Sequence, residues 1–161
     1  MSAGEVAQPV AVARPAESRL TLPQGRGELA VRSWHVDAAP ADAAPVLAVH
    51  GWLDNAASFD PLAPLLPGRP LHAIDLPGHG LSDHRPAGMR YHNMDYLDDL
   101  LAVLDRYAPE RPAILLGHSL GAGLWMLLAG MFPERVSRLI LLDGLGRRQA
   151  EGELAFHRRG L

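Results

Sequence analysis

The sequence predicts an α/β fold with a mostly parallel central sheet and flanking helices. Compact apolar runs of strand length recur along the chain: VLAVHGW from Val46, LHAIDL from Leu71, AILLGHS from Ala113 and RLILLDG from Arg138. They lack polar alternation, as strands buried on both faces do. Between the later runs lie segments with helical apolar spacing, and that alternation specifies parallel strands with crossover helices on both faces. At 161 residues, with 48% hydrophobic and 20% charged residues, the chain suffices for one domain with a sizeable core.

Residues 1–18 read as an Ala/Pro-rich disordered leader without the basic and apolar regions of a signal peptide. LAVRSWHV, from Leu29, alternates as a half-buried strand does. The run from Val46 ends in His50-Gly51-Trp52. Beyond it, SFDPLAPLL offers a serine or aspartate N-cap and a short amphipathic helix. The strand from Leu71 is broken at Pro77 and Gly78. His92 to Tyr107 reads as a helix with Met94, Leu97, Leu100, Leu101 and Leu104 on its apolar face. AILLGHS is followed at once by the helix SLGAGLWMLLAGMF, which Pro133 stops. After RLILLDG the tail is polar, with at most one weakly formed helix.

Composition excludes several chemistries. All 15 basic residues are arginine, so a P-loop lysine, a Schiff base and a Ser-Lys dyad are ruled out. With no cysteine there is no disulfide, thiolate nucleophile or Cys-ligated zinc. A net charge of −3 with scattered arginines offers no basic face for nucleic acid. No apolar run reaches the ~18 residues of a membrane span. The eight histidines show no metal-ligand spacing on one helix face, so neither metal nor cofactor is expected. A cytoplasmic location is the simplest reading.

Gly117-His118-Ser119-Leu120-Gly121 fits G-x-S-x-G, a strand-to-helix turn that exposes a nucleophilic serine. A serine hydroxyl must be exposed, activated and supplied with donors for the oxyanion it creates. Gly117 and Gly121 remove side chains that would collide with Ser119 in so tight a turn. The following helix aims its first amides and positive dipole end at the developing charge, which makes the Leu120 N–H the first expected donor. Gly51, at the end of an earlier strand, lets backbone approach the same oxygen, and the Trp52 N–H is the second.

Strand-HG, DLPGHGLSD and strand-GHSLG in this order resemble the α/β-hydrolase superfamily. Within it, LAVRSW, HGWLDNAASFDPLAPLLP and LPGHGLS resemble the serine hydrolase-like proteins, over about Leu29 to Leu145. The resemblance implies the α/β-hydrolase fold, with residues 19–145 as its N-terminal part and RLILLDG as its sixth strand. It implies Ser119 as nucleophile and the Trp52 and Leu120 amides as oxyanion hole. It places Asp75 and His79 in a loop that shapes the catalytic edge of the sheet. Family members continue into a cap and two further strands carrying an acid and a histidine. This chain is therefore expected to be truncated after the sixth strand, with 146–161 the start of a missing cap. Asp143 is a weak acid candidate, since some members carry their acid there, and His157 a weak base candidate.

The expected function is hydrolysis of a small-molecule acyl substrate through an acyl-enzyme, esterase-like, in the complete protein. The alternatives are an inactive pseudo-hydrolase acting as a binding module, and an enzyme completed by a second chain. Left uncovered, the sixth strand is an apolar edge that invites self-association or a partner chain.

Overall fold

The computed structural model describes residues 14–144. Six strands form one sheet: β1 (Ala16–Thr21), β2 (Glu28–Trp34), β3 (Val46–Val49), β4 (Leu71–Ile74), β5 (Ala113–His118) and β6 (Val136–Leu142). Helix α1 (Asn93–Tyr107) precedes β5, and α2 (Leu120–Met131) joins β5 to β6. The strand order is β1-β2-β4-β3-β5-β6. β4-β3-β5-β6 is parallel, while β1 and β2 run antiparallel to their neighbours. No described helix is long and apolar enough to cross a membrane.

Side chains alternate across the buried strands with the period of two that a pleated backbone imposes. Leu47, Val49, Ile74 and Leu115 face one core, which α1 and α2 cover with Leu97, Leu100, Leu104, Leu124, Trp125 and Leu128. Val46, Ala48, Ala73, Ile114 and Leu116 face a second core with Trp34 and Phe59. Helices were expected on both faces, but within the described residues both α-helices lie on the first. The helix expected in SFDPLAPLL is two 3-10 turns, Ala56–Phe59 and Ala63–Leu65. Pro61 and Pro64 have no amide hydrogen to extend a helical ladder. These turns still bury Ala56, Phe59 and Ala63 and so close the second core.

Two other expectations shift. β1 starts at Ala16, inside the stretch read as a leader, because its residues pair with β2 from Ala16–Ser33 to Thr21–Glu28. Its side chains are mostly exposed, so it carries no hydrophobic signature. On α1, Met94 is 61% exposed, and the buried face includes Tyr96 and Val103. β6 pairs only with β5 among the described residues, leaving Ile140 and Leu142 37% and 44% exposed.

One buried histidine makes the fold acid-sensitive. His72 on β4 places Nδ1 2.8 Å from Ser33 Oγ on β2, and its ring lies 4.3 Å from that of Tyr107. Burial, helped by the Arg106 charge, lowers its pKa to about 4. The folded state therefore resists protonation that the unfolded chain accepts near 6.5. Stability from His72 is complete above that value and is lost as the pH falls toward 4. The loss amounts to about 3 kcal/mol at the acid end. Urea midpoints measured from pH 7 to pH 4 should fall less steeply in His72→Gln than in the parent. Parallel profiles would contradict this assignment.

Candidate active site

The site is assembled at the C-terminal ends of β3, β4 and β5. Ser119 stands between β5 and α2 with φ 48° and ψ −107°, a left-handed conformation costly to a residue with a side chain. Local bonds hold it there. The Ser119 N–H donates to the Leu142 carbonyl at 2.9 Å, which ties the turn to the end of β6. The Gly121 N–H donates to the His50 carbonyl at 3.1 Å, tying it to β3. Trp125 Nε1 donates to the Leu116 carbonyl at 3.1 Å and fastens α2 onto β5. Ser119 is exposed as a result, with α2 starting at the next residue.

The glycines are required by close approaches to neighbouring backbone. A Cβ on Gly117 would lie 2.5 Å from the Ala122 Cα and N, and one on Gly121 would strike the Val49 carbonyl. Both glycines let α2 approach the sheet.

Past β3 the chain turns through Gly51, Trp52, Leu53 and Asp54. A Cβ on Gly51 would lie 3.4 Å from Ser119 Cβ, so this loop adjoins the serine. The amides of Trp52 and Leu120 have no backbone partner among the described residues. That leaves them open to an acceptor, as an anion site requires. The Trp52 side chain is 63% exposed, and Leu53 is 82% exposed at φ 57°.

Buried polar groups brace this loop from below. His50 Nδ1 donates to the Gly51 carbonyl at 2.7 Å, while Nε2 accepts the Leu76 N–H at 3.0 Å. That pattern fixes a neutral tautomer. Burial pushes His50 below its ordinary pKa against the pull of the Gly51 carbonyl. Asp75, 4% exposed, accepts the Ala56 N–H at 2.6 Å and the Leu81 N–H at 2.8 Å. It thereby joins the turn after the Trp52 loop to the loop after β4. Its carboxylate fills the space where a Gly80 side chain would stand. His79 Nδ1 lies 3.1 Å from the Pro77 carbonyl, and its ring meets that of Trp52 edge-on at 5.6 Å.

The structure thus brings Ser119, Leu120, Trp52 and Gly51 together. Asp143 follows β6 at φ 50°, exposed and without a hydrogen bond among the described residues. None of the hydrogen bonds among those residues engages the Ser119 hydroxyl, from a histidine or otherwise. His157 and the helix suggested for the tail lie outside the described residues. Sequence reasoning passed over Asp54 and gave His118 no specific partner, yet His118 Nδ1 is 4.0 Å from Asp54 Oδ2. Their places inside the two motifs were the only available signal.

The family model for the alpha/beta hydrolase fold matches residues 44–156. A serine hydrolase-like protein of Danio rerio is 40% identical over 134 residues, covering 83% of this chain and 40% of that one. A serine hydrolase-like protein of Homo sapiens is 38% identical over 149 residues, covering 89% of this chain and 71% of that one. A hypothetical protein from Pseudomonas aeruginosa PAO1, of known crystal structure, superposes with a TM-score of 0.72 at 46% identity. That match covers 89% of this chain and 49% of the other. Relative to the first of these the chain spans less than half the length. Strand order, the strained serine turn and these likenesses agree, and the chain belongs to the α/β-hydrolase superfamily.

Proposed function

We propose that Ser119 is the nucleophile of an acyl-transferring hydrolase, with the Leu120 and Trp52 amides stabilising the oxyanion. The observation that carries this reading is the exposed Ser119 at φ 48°, held against its preference directly before the first turn of α2. Backbone strain retained in a well-tied turn is a mark of functional positions. In the proposed reaction Ser119 Oγ attacks an acyl carbonyl carbon and its proton passes to a base. The carbonyl oxygen becomes the oxyanion received by the two amides. Collapse releases the leaving group and leaves an acyl-serine, which water hydrolyses to free acid and serine. The base is assigned outside residues 14–144, since no described histidine engages the hydroxyl. The substrate class is a small acyl compound, an ester in the simplest case.

That missing contact also favours a second reading, a pseudo-hydrolase that binds ligands without turnover. A fluorophosphonate probe separates the two, read by intact mass and peptide mapping. With the segment or chain that supplies the base present, one adduct on Ser119, lost in Ser119→Ala, is expected. In serine hydrolases of established mechanism, loss of the nucleophile costs on the order of 10⁶ in turnover. A folded protein that takes no adduct even with the base supplied, or takes it elsewhere, would establish the second reading instead.

A further inference from the structure

An oxyanion hole built from two loops works only if those loops are held in register. We propose that His118 and Asp54 form a clasp across the mouth of the site. It positions the loop bearing the Trp52 amide against the turn bearing the Leu120 amide. The proposal rests on the Ser119 reading above and adds two positioning residues to it.

The geometry is specific. His118 precedes the serine, and its imidazole lies along Gly51: a Cβ there would be 3.0 Å from Nδ1 and 3.2 Å from Cε1. Beyond it stands Asp54, with Oδ2 at 4.0 Å from Nδ1. The carboxylate cannot swing freely, because Oδ1 accepts the Ser58 hydroxyl at 2.5 Å and the Asn55 N–H at 2.8 Å. Burial acts to raise the Asp54 pKa. The Ser58 and Asn55 hydrogen bonds, with His50 and His118 nearby, outweigh it and leave the carboxyl below its ordinary value. A fixed anion therefore faces the imidazole.

Between Gly51 and Asp54 the one other side-chain contact that holds the loop, among the described residues, is that of the Trp52 ring, edge-on against His79. Trp52 and Leu53 are mostly exposed, and Leu53 is strained at φ 57°. The Asp54 N–H reaches the Gly51 carbonyl at only 3.3 Å. The loop's near end is anchored at Gly51 through His50, and its far end meets the elbow through His118. A separation of 4.0 Å suits an ion pair when His118 is protonated, and a bridging water when it is neutral. With the two side chains 43% and 32% exposed, the pair adds little to global stability. Its effect is on position. One oxyanion donor is worth about 10²–10³ in rate, so a displaced Trp52 amide should cost about tenfold in Ser119 phosphonylation.

The test follows backbone amide signals during titration of the full chain with butylboronic acid, whose serine adduct carries a negative oxygen. In the parent protein the Trp52 and Leu120 amide protons should both move downfield. In Asp54→Asn and in His118→Gln the Leu120 response should persist while that of Trp52 falls by more than half. The double variant should be no worse than either single one. Full responses at both amides in both single variants would overturn the clasp and leave Ser119 standing. No response at either amide in the parent, with the segment or chain that supplies the base present, would overturn the Ser119 reading and the clasp with it. Collapse of the folded spectrum in a variant also counts against the clasp, since a positioning pair at the surface leaves the fold intact.

Discussion

Asp99→Ala should lower the unfolding free energy by about 3–5 kcal/mol, the cost of stranding a buried charge. Asp99 lies on α1, yet it is fully buried between two guanidinium groups. Its Oδ2 accepts from Arg85 Nη2 at 2.6 Å and its Oδ1 from Arg26 Nη1 at 2.7 Å. Arg26 belongs to the β1–β2 connection and Arg85 to the segment before α1, so one carboxylate joins three parts of the chain. The Arg85 side chain has no exposed surface, and its Nε and Nη1 make no hydrogen bond. The Tyr91 and Tyr96 rings, with centroids 5.5 and 5.1 Å from its Cζ, offer a cation only partial compensation. Removing Asp99 leaves that charge buried and unpaired. Arg26, 12% exposed, has a route to water. The double variant Arg85→Met/Asp99→Leu should therefore recover most of the loss, because apolar replacement of a whole buried pair is often neutral. Urea unfolding of the three proteins decides the matter. A loss below 1 kcal/mol in Asp99→Ala would mean that the triad does not hold these segments.

Gly121→Ala is expected to cost about 3 kcal/mol, at the upper end for overpacking. It should also abolish fluorophosphonate labelling of Ser119. The obstacle is backbone: the Val49 carbonyl carbon stands 2.6 Å from where the new Cβ would be. A side chain could rotate away, but β3 is a central strand, paired with β4 and β5, and cannot. The first turn of α2 would have to lift instead, which breaks the Gly121 N–H bond to His50 and carries the Leu120 amide with it. Gly123 supplies the comparison. It lies two residues on, in the same helix, with nothing within 4 Å of its Cβ position. Gly123→Ala should stabilise the protein by up to ~1 kcal/mol through helix propensity. Equal effects of the two substitutions on stability would refute the steric argument.

The central strands were legible because burial on both faces leaves a local mark, an apolar run of strand length. The serine turn was legible because its glycines sit at fixed offsets from Ser119. β1 was not, since a strand with mostly exposed side chains is defined by pairing, and pairing with β2 leaves no mark on AESRLT itself. Met94 satisfied the helical period but fell outside the covered face. The period gives the spacing of a stripe, and packing decides which stripe is buried. The acid at Asp99, inside the buried face of α1, was the one local irregularity that could have signalled an ion pair.

The sequence by itself determined the class of fold, the positions of its central strands along the chain and the turn that presents Ser119, all through rules acting within a few residues. The tertiary structure alone decided that Asp54 meets His118, that Arg26 and Arg85 meet Asp99, and that 3-10 turns close the second core. Those partners are brought together by sheet order and loop path, and a side chain carries no record of a neighbour 64 positions away.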